Sequence, residues 1–307
     1  MGIILVGISG WTEPTLIAGG KFYPPPVKSA EARLRYYASQ FSIVEVDSSY
    51  YGLPTELTSA LWVKRTPDHF VFDIKAFRLF TQHPTSPEVL PKDIRDVLPP
   101  AIREQNNIYN RDLPGEALDE LWKRFEMSLR PLHDSGKLGV ILFQFPSWFY
   151  PGNESKEYIA SFKSRLPNYR IAIEFRHASW VSEKNIERIM TFLKENDLAY
   201  VCVDEPQGLN SGLPPVVAVT LDMSVIRFHG RNIIAWEREN TAASGRFNYL
   251  YNEGELKEWQ PRIKELAAKT RELHVIFNNC YDDKAVRNAR QIRIMLGQLN
   301  ATSSLFS

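Results

Sequence analysis

Eight short apolar segments, separated by polar turns and helical stretches, constrain this sequence more than any other feature. They lie at Ile3–Ser9, Ile43–Asp47, Val71–Ala76, Val140–Phe145, Ile171–Phe175, Tyr200–Asp204, Val225–His229 and His274–Asn278. Continuously apolar strands are typical of a parallel sheet whose outer face is covered by helices. Eight such units in 307 residues fit one closed barrel. The sequence therefore predicts an α/β fold, a single (β/α)8 TIM-barrel domain spanning residues 1–307.

Helical stretches lie between most of the predicted strands. They are Ser29–Gln40, Thr55–Arg65, Ser182–Asn196, Glu255–Lys269 and Lys284–Leu299. Ser29, Thr55 and Ser182 are suitable N-cap residues, because their hydroxyls can accept a hydrogen bond from the first helical turn. The sixth unit differs, since its connecting stretch Gly208–Pro215 contains Gly and Pro and predicts no proper helix.

A long insertion is predicted after the third strand, over about residues 77–137. It begins with a proline-rich tract and contains a predicted helix near Gly115–His133. A long insertion after a barrel strand lies at the functional face and often forms a lid. The alternative is a surface loop without a role in function.

An open, doubly wound sheet is the main alternative fold. A dinucleotide-binding sheet would need a glycine-rich G-x-G-x-x-G turn after its first strand. Here the first strand ends in Gly7-Ile8-Ser9-Gly10-Trp11, which does not match. The bulky Trp11 would also obstruct a dinucleotide, so the barrel is favoured.

The balance of charge gives no general reason to expect nucleic acid or a membrane as partner. The chain has 37 Lys and Arg against 36 Asp and Glu, a formal net charge of +1. Its two cysteines, Cys202 and Cys280, are far apart, which fits a reducing cytoplasm. The apolar N-terminus is too short for a membrane span and lacks a signal-peptide pattern, so it predicts a buried strand.

Polar residues recur where the predicted strands end, and this is the face of a barrel that carries function. Alternation places Glu174 and Arg176 on one face of their strand, as it does Arg227 and His229, and both pairs are predicted to point into the barrel. We expect Glu45, Lys75 and Glu174 to be catalytic. The residues expected to bind substrate are Trp11, Tyr50, Gln144, Arg176, Trp180, Asp204, Arg227, His229, Asn278 and Asn279.

The ordered motifs at these strand ends resemble those of a known family. They are Gly7–Trp11, Glu45–Tyr51, Lys75-Ala76, Gln144–Pro146, Glu174–Trp180, Arg227–Arg231 and Phe277–Asn279. Together they resemble the YecE-like family, bacterial and archaeal domains of unknown function with a TIM-barrel fold. The resemblance covers nearly the whole chain. It implies a barrel with a polar pocket at its strand ends, and it implies no settled reaction.

The mixed charges of this face favour a site for a small anionic ligand. Lys75 supplies a point charge, whereas Arg176 and Arg227 are planar forks suited to phosphate or carboxylate. Glu45 and Glu174 could then serve as general base and acid, as in a hydrolase, lyase or isomerase. The alternative is a purely structural ion network, because charges inside a barrel must be paired.

Other functions are weighed against this interpretation. A divalent metal is disfavoured because Lys75, Arg176 and Arg227 would repel it, and no other cofactor is predicted. A Schiff base on Lys75 is disfavoured by the neighbouring carboxylates, which would raise its pKa. Binding or repair of nucleic acid, by analogy with endonuclease-IV-like barrels, would stack bases on aromatic residues near basic ones. These residues are Trp11, Tyr50, Tyr51, Trp148, Phe149 and Trp180. A non-catalytic ligand sensor is the remaining alternative, and the oligomeric state stays open.

Overall fold

Eight parallel strands close into a barrel in this computed structural model, which describes residues 1–208, 212–237 and 243–299. Each strand pairs with the next along the chain, and β8 pairs with β1. This arrangement confirms the predicted barrel. The strands are β1 Ile3–Ser9, β2 Ile43–Val46, β3 Val71–Lys75, β4 Leu138–Gln144, β5 Ile171–Glu174, β6 Leu198–Asp204, β7 Met223–Phe228 and β8 Glu272–Phe277.

Helices surround the barrel and connect its strands. Before β4 they are α1 Pro14–Gly19, α2 Ala30–Gln40, α3 Ser48–Tyr51, α4 Glu56–Lys64, α5 Lys92–Asp96, α6 Pro100–Arg103 and α7 Gly115–Asp134. After β4 they are α8 Asn153–Ala160, α9 Phe162–Arg165, α10 Ile186–Glu195, α11 Ile233–Glu237, α12 Ala243–Arg246, α13 Glu253–Lys269 and α14 Lys284–Met295. None of the helices in the described ranges is long and apolar enough to cross a membrane.

Two of the predicted N-caps are confirmed and one is wrong. The hydroxyls of Ser29 and Thr55 accept backbone hydrogen bonds at the starts of α2 and α4. Ser182 was expected to cap the next well-defined helix, but α10 begins only at Ile186. The reason is a turn, in which the Ser182 carbonyl accepts the N–H groups of both Asn185 and Ile186.

The connections that follow β3 and β6 differ in kind. Between β3 and β4 the chain forms short helical turns and then α7, which packs against α4 as a regular barrel helix. An antiparallel bridge between Thr85 and Ile108 holds the intervening segment together. Between β6 and β7 no helix occurs among the described residues, as predicted; residues 209–211 of the stretch Gly208–Pro215 lie outside them.

The outer faces of the strands pack against the helices through aromatic side chains. Phe143 of β4 stacks on Phe162 of α9, with ring centroids 4.2 Å apart, and Phe228 of β7 stacks on Phe277 of β8 at 4.5 Å. Trp259 of α13 covers Phe228 edge-on. Such rings bury large apolar areas and stabilise the layer of helices on the barrel.

A charged cluster fills the N-terminal end of the barrel, opposite the predicted site. The His274 ring lies 2.9 Å from Asp73 through Nδ1 and 2.8 Å from Glu272 through Nε2. Burial disfavours a charged imidazole, but the two carboxylates outweigh it and raise the pKa of His274 to about 9. Buried charges persist where such partners are present.

This cluster predicts a loss of stability at alkaline pH. Since the folded pKa of His274 exceeds the unfolded value, the stabilisation is complete below about pH 6.5 and is lost as pH rises through about 9. A shift of this size corresponds to ~3 kcal/mol. We expect the free energy of unfolding of wild type to fall between pH 6 and pH 10 by ~3 kcal/mol more than that of His274→Gln. Urea denaturation at both pH values measures this difference. Parallel pH profiles for the two proteins would contradict the prediction.

Candidate functional site

Arg227 is the centre of a polar network inside the C-terminal end of the barrel. Its side chain is fully buried and projects from β7 into the interior. It donates to both oxygens of Glu45, from Nε at 2.7 Å and from Nη2 at 2.5 Å. Its Nη1 donates to Glu174 at 2.5 Å and to Gln144 at 3.0 Å. Side chains from four strands thus meet at one guanidinium. The contact with Glu45 is bidentate, which the planar guanidinium of Arg can supply and the ammonium of Lys cannot.

The two glutamates of this network differ in their electrostatics. Burial raises the pKa of Glu45, and the charge of Arg227 offsets only part of that penalty. Burial acts in the same direction on Glu174, but Arg227 and His229 outweigh it and hold its pKa well below the ordinary value. Ser9 adds a further hydrogen bond to Glu45 at 2.7 Å. Both carboxylates are therefore occupied by internal donors.

His229 extends the network toward β8 with a defined tautomer. Its Nε2 lies 3.0 Å from Glu174 Oε1, and its Nδ1 lies 3.0 Å from the amide nitrogen of Asn278. A carboxylate requires a donor and an amide N–H requires an acceptor, so the proton belongs on Nε2. Burial lowers the pKa of His229 to about 3, which makes the ring neutral at pH 7. The buried network thus comprises Ser9, Glu45, Gln144, Glu174, Arg227, His229 and Asn278.

Lys75 lies above this network, at the end of β3. Its Nζ donates to Asp47 at 2.8 Å and lies 4.4 Å from the centroid of the Tyr50 ring. The ammonium group carries three protons, and Asp47 is its only hydrogen-bond acceptor among the described residues. Lys75 therefore keeps donors for a ligand, in contrast to Arg227.

Arg176 lies at the barrel mouth just beyond β5, which is separated from β3 by β4 alone. Its Nη1 lies 3.1 Å from Glu174 and 3.2 Å from Glu205, and its guanidinium lies over the Trp236 ring. Within the described ranges, Nε and Nη2 of Arg176 have no hydrogen-bond acceptor. Burial raises the pKa of Glu205, with Arg176 offsetting only part of this effect. The Glu205 oxygen that faces Arg176 is Oε2, and this ion-pair contact is not a hydrogen bond; among the described residues Oε2 has no hydrogen-bond partner.

His83 lies beside Tyr50 at this mouth, with 5.3 Å between the ring centroids. Burial, together with the charges of Lys75, Arg78 and Arg176, lowers the pKa of its imidazole to about 3. Arg78 lies 5.4 Å from the Tyr50 ring, and its Nε is buried without a hydrogen-bond partner among the described residues. We call Lys75, Arg78 and Arg176 the rim cations. The charges of these three groups all act on the neutral His83 ring, and such a positive environment favours an anion.

Arg78, His83 and Glu205 were not predicted from the sequence as members of this site. Arg78 and His83 belong to the insertion, where no strand periodicity indicates which side chains turn inward. Glu205 directly follows β6 and lies on the same side of the chain as Val201 and Val203. Both faces of β6 are apolar and buried, so alternation did not indicate whether Asp204 or Glu205 faces the interior.

The structure does not bring Asp204 to the network. Its carboxylate faces the surrounding layer, where it accepts Tyr251 Oη at 2.7 Å and Trp259 Nε1 at 2.6 Å. Arg231 contributes two further hydrogen bonds, from Nε at 3.0 Å and Nη2 at 2.7 Å. Four donors satisfy this one carboxylate. Its contacts are those of a group that joins β6 to α13.

Trp11, Trp180 and Asn279 are likewise placed away from the network. Trp11 packs edge-on against Trp62 outside the barrel. Trp180 is fully buried on Phe175, with ring centroids 4.2 Å apart. Both tryptophans lie in loops that follow a strand and turn outward, so their rings pack in the apolar layer between the barrel and the helices. The Asn279 amide donates to the Tyr249 carbonyl and to Asn288, so it ties the β8 loop to α14.

Among the described residues, neither a group of metal ligands nor the cavity of about 650 Å³ lies at this mouth. Within residues 1–208, 212–237 and 243–299, no three His, Cys, Asp or Glu side chains are grouped as metal ligands. A cavity of about 650 Å³ lies outside the barrel, between α8 and α10, with Lys156 and Arg188 among its lining residues. It contains none of the buried charges described above. The barrel mouth is therefore the stronger candidate site.

Comparison with known proteins gives one consistent result. Residues 5–305 match the family described as protein of unknown function DUF72. The chain is 30% identical to the UPF0759 protein YunF of Bacillus subtilis over 298 residues, which cover 96% of this chain and 95% of YunF. It resembles the crystal structure of a DUF72 protein from Enterococcus faecalis, with TM-score 0.76, 29% identity and 96% of each chain covered. A DUF72 protein from Thermotoga maritima gives TM-score 0.75 and 30% identity, covering 96% of this chain and 99% of that one.

Proposed function

This chain belongs to the DUF72 family of YecE-like proteins, whose function is unknown, and we propose from its own geometry that it is an enzyme for a small anionic substrate. The substrate binds at the C-terminal mouth of the barrel. Its phosphate or carboxylate group contacts the rim cations, and a neighbouring carboxyl group transfers a proton. The observation that carries the proposal is that Lys75, Arg78 and His83 all lie against the Tyr50 ring, at 4.4, 5.4 and 5.3 Å from its centroid. Arg176 adds a third positive charge, which also lowers the pKa of His83.

The buried network supports this proposal by positioning the residues of the mouth. Arg227 is satisfied by Glu45, Glu174 and Gln144 and has no role left in direct binding. The structural-network interpretation thus accounts for Arg227 and its glutamates. It does not account for the rim cations, because Lys75 and Arg176 keep N–H groups without protein acceptors among the described residues.

Glu205 is the group best suited to proton transfer. It is buried, and burial raises its pKa. Its Oε2 faces Arg176 at 3.2 Å but has no hydrogen-bond partner within the described ranges. A carboxyl group with an elevated pKa can hold a proton near neutral pH and deliver it to a reacting atom. Glu45 and Glu174, which the sequence favoured as base and acid, instead have their oxygens engaged by Arg227.

The nucleic-acid alternative receives less support from the geometry. Trp11 and Trp180, two of the aromatic residues on which it depends, are buried in the layer outside the barrel. Tyr51 and Trp148 remain exposed beside the mouth. A pair of exposed rings fits a small ligand as well as a strand of nucleic acid.

Binding of inorganic phosphate and small dicarboxylates, measured by isothermal titration calorimetry, tests the anion site. Lys75→Met and Arg176→Met should each weaken binding at least about tenfold, since a hydrogen bond to a charged group contributes roughly 1.5–3 kcal/mol. Lys257→Met and Arg271→Met remove exposed cations elsewhere and should leave affinity unchanged. A bound anion should also raise the pKa of His83 from about 3, detected by NMR of labelled histidine.

A turnover assay, combined with the binding measurements, separates binding from chemistry. Glu205→Gln should keep the anion affinity while lowering kcat by about 10²–10⁴ on any phosphate or carboxylate ester that a screen finds to be turned over. Absence of anion binding by wild type, or equal binding by Lys75→Met and Arg176→Met, would refute the proposed site. Full turnover by Glu205→Gln would refute only its role in proton transfer.

A further inference from the structure

A row of aromatic rings leads from the rim cations to the protein surface. Tyr50, beneath Lys75, contacts the His83 ring at 5.3 Å between centroids. His83 in turn contacts Trp148 at 6.0 Å, and Tyr51 contacts Tyr50 at 5.1 Å. These four residues form the aromatic row. It begins where the anion would bind and ends in solvent.

Trp148 and Tyr51 are the two exposed ends of this row, and the backbone of Trp148 is held by its neighbours. The loop after β4 is anchored by Phe149, which stacks on Phe145 at 4.1 Å and whose carbonyl accepts Trp180 Nε1 at 2.6 Å. The Trp148 side chain is nevertheless 52% exposed. A rigid loop that presents a large apolar ring to water resembles the preorganised anchors of binding sites.

We propose that the substrate carries a planar ring attached to its anionic group and that Trp148 stacks on this ring. The chemical class is a phosphate monoester of a nucleoside or of an aromatic alcohol. The inference rests on the proposed function, because the phosphate is placed at the rim cations. Trp148 then acts as a specificity residue that touches the part of the substrate away from the reacting atoms.

Stacking fits this position better than hydrogen-bond recognition does. Tyr51 and Trp148 are each about half exposed, and an indole offers only a single N–H donor for hydrogen bonding. An aromatic face holds a planar ring with little sequence or substituent preference. The row therefore selects for the presence of a ring rather than for one particular base.

Titration calorimetry with four probes tests the inference on the full chain. The probes are inorganic phosphate, ribose 5-phosphate, phenyl phosphate and adenosine monophosphate. We expect the two ring-bearing probes to bind about tenfold more tightly than ribose 5-phosphate, a difference of about 1.4 kcal/mol. Trp148→Ala should abolish this preference and leave inorganic phosphate binding unchanged. Trp148→Phe should retain most of it, and Leu57→Ala, an exposed apolar residue of α4, is the matched control.

The outcomes separate this inference from the function on which it rests. Equal affinity for ribose 5-phosphate and the ring-bearing probes would overturn the inference and leave the anion site intact. Failure of wild type to bind any of the four probes would refute the proposed function itself. Binding of single-stranded oligonucleotides without binding of the mononucleotide would overturn the inference in favour of a nucleic-acid surface.

Discussion

Arg227→Met is expected to destabilise the protein by at least about 3–5 kcal/mol, the cost of breaking a buried ion pair by removing one partner. The substitution leaves Glu45 and Glu174 inside the barrel without their shared cation. Neither carboxylate can turn to solvent, because both side chains are almost completely buried. The melting temperature should fall by roughly 10 °C, at about 2–4 °C per kcal/mol for a chain of this size class.

Two further variants show whether the loss comes from uncompensated charge. Combining Arg227→Met with Glu45→Gln and Glu174→Gln removes all three charges and should recover a large part of the stability, a non-additive result. Arg271→Met, which removes an arginine with an 89% exposed side chain, should change stability by less than about 0.5 kcal/mol. A melting temperature of Arg227→Met within a few degrees of wild type would contradict the assignment of Arg227 as the centre of the network.

Asp204→Ala is expected to cost roughly 3–5 kcal/mol of stability without changing the affinity for phosphate. Asp204 accepts hydrogen bonds from Tyr251, Trp259 and Arg231. Its removal leaves the buried N–H of Trp259 without an acceptor and the O–H of Tyr251 with only the long contact of 3.4 Å to the Asp204 carbonyl, and such losses are costly. Urea denaturation measures the stability, and calorimetry with inorganic phosphate well below the melting temperature measures the affinity.

Asp222→Ala is the matched control for this prediction. Asp222 is exposed and pairs only loosely with Arg271 at 3.5 Å, so its loss should be nearly neutral. If Asp204→Ala remained stable but lost phosphate binding, Asp204 would be a ligand-binding residue, as the sequence suggested. The pair of measurements thus distinguishes a structural carboxylate from a functional one at the end of β6.

The predicted strands were confirmed to within two residues at each end, and the physical reason is local. An apolar run bounded by turn residues indicates a buried strand wherever its partners lie. Alternation also placed Glu174, Arg227 and His229 in the interior, because side chains two residues apart share a face of a strand. For β6, alternation could not show whether Asp204 or Glu205 faces the interior, because the strand is apolar on both faces, as at Val201 and Cys202.

The sequence by itself determined the barrel, its strand ends and most of the polar residues that meet there, because these depend on short-range patterns. Only the tertiary structure decided which of those residues neutralise one another. Glu45 and Arg227 are 182 residues apart in the chain and become partners through the closure of the barrel. The tertiary structure also decided where Arg78, His83 and Trp148 lie, because side chains in loops have no periodic pattern of direction. Hydrogen-bond partners and exposed rings are set by three-dimensional proximity, which no pattern along the chain encodes.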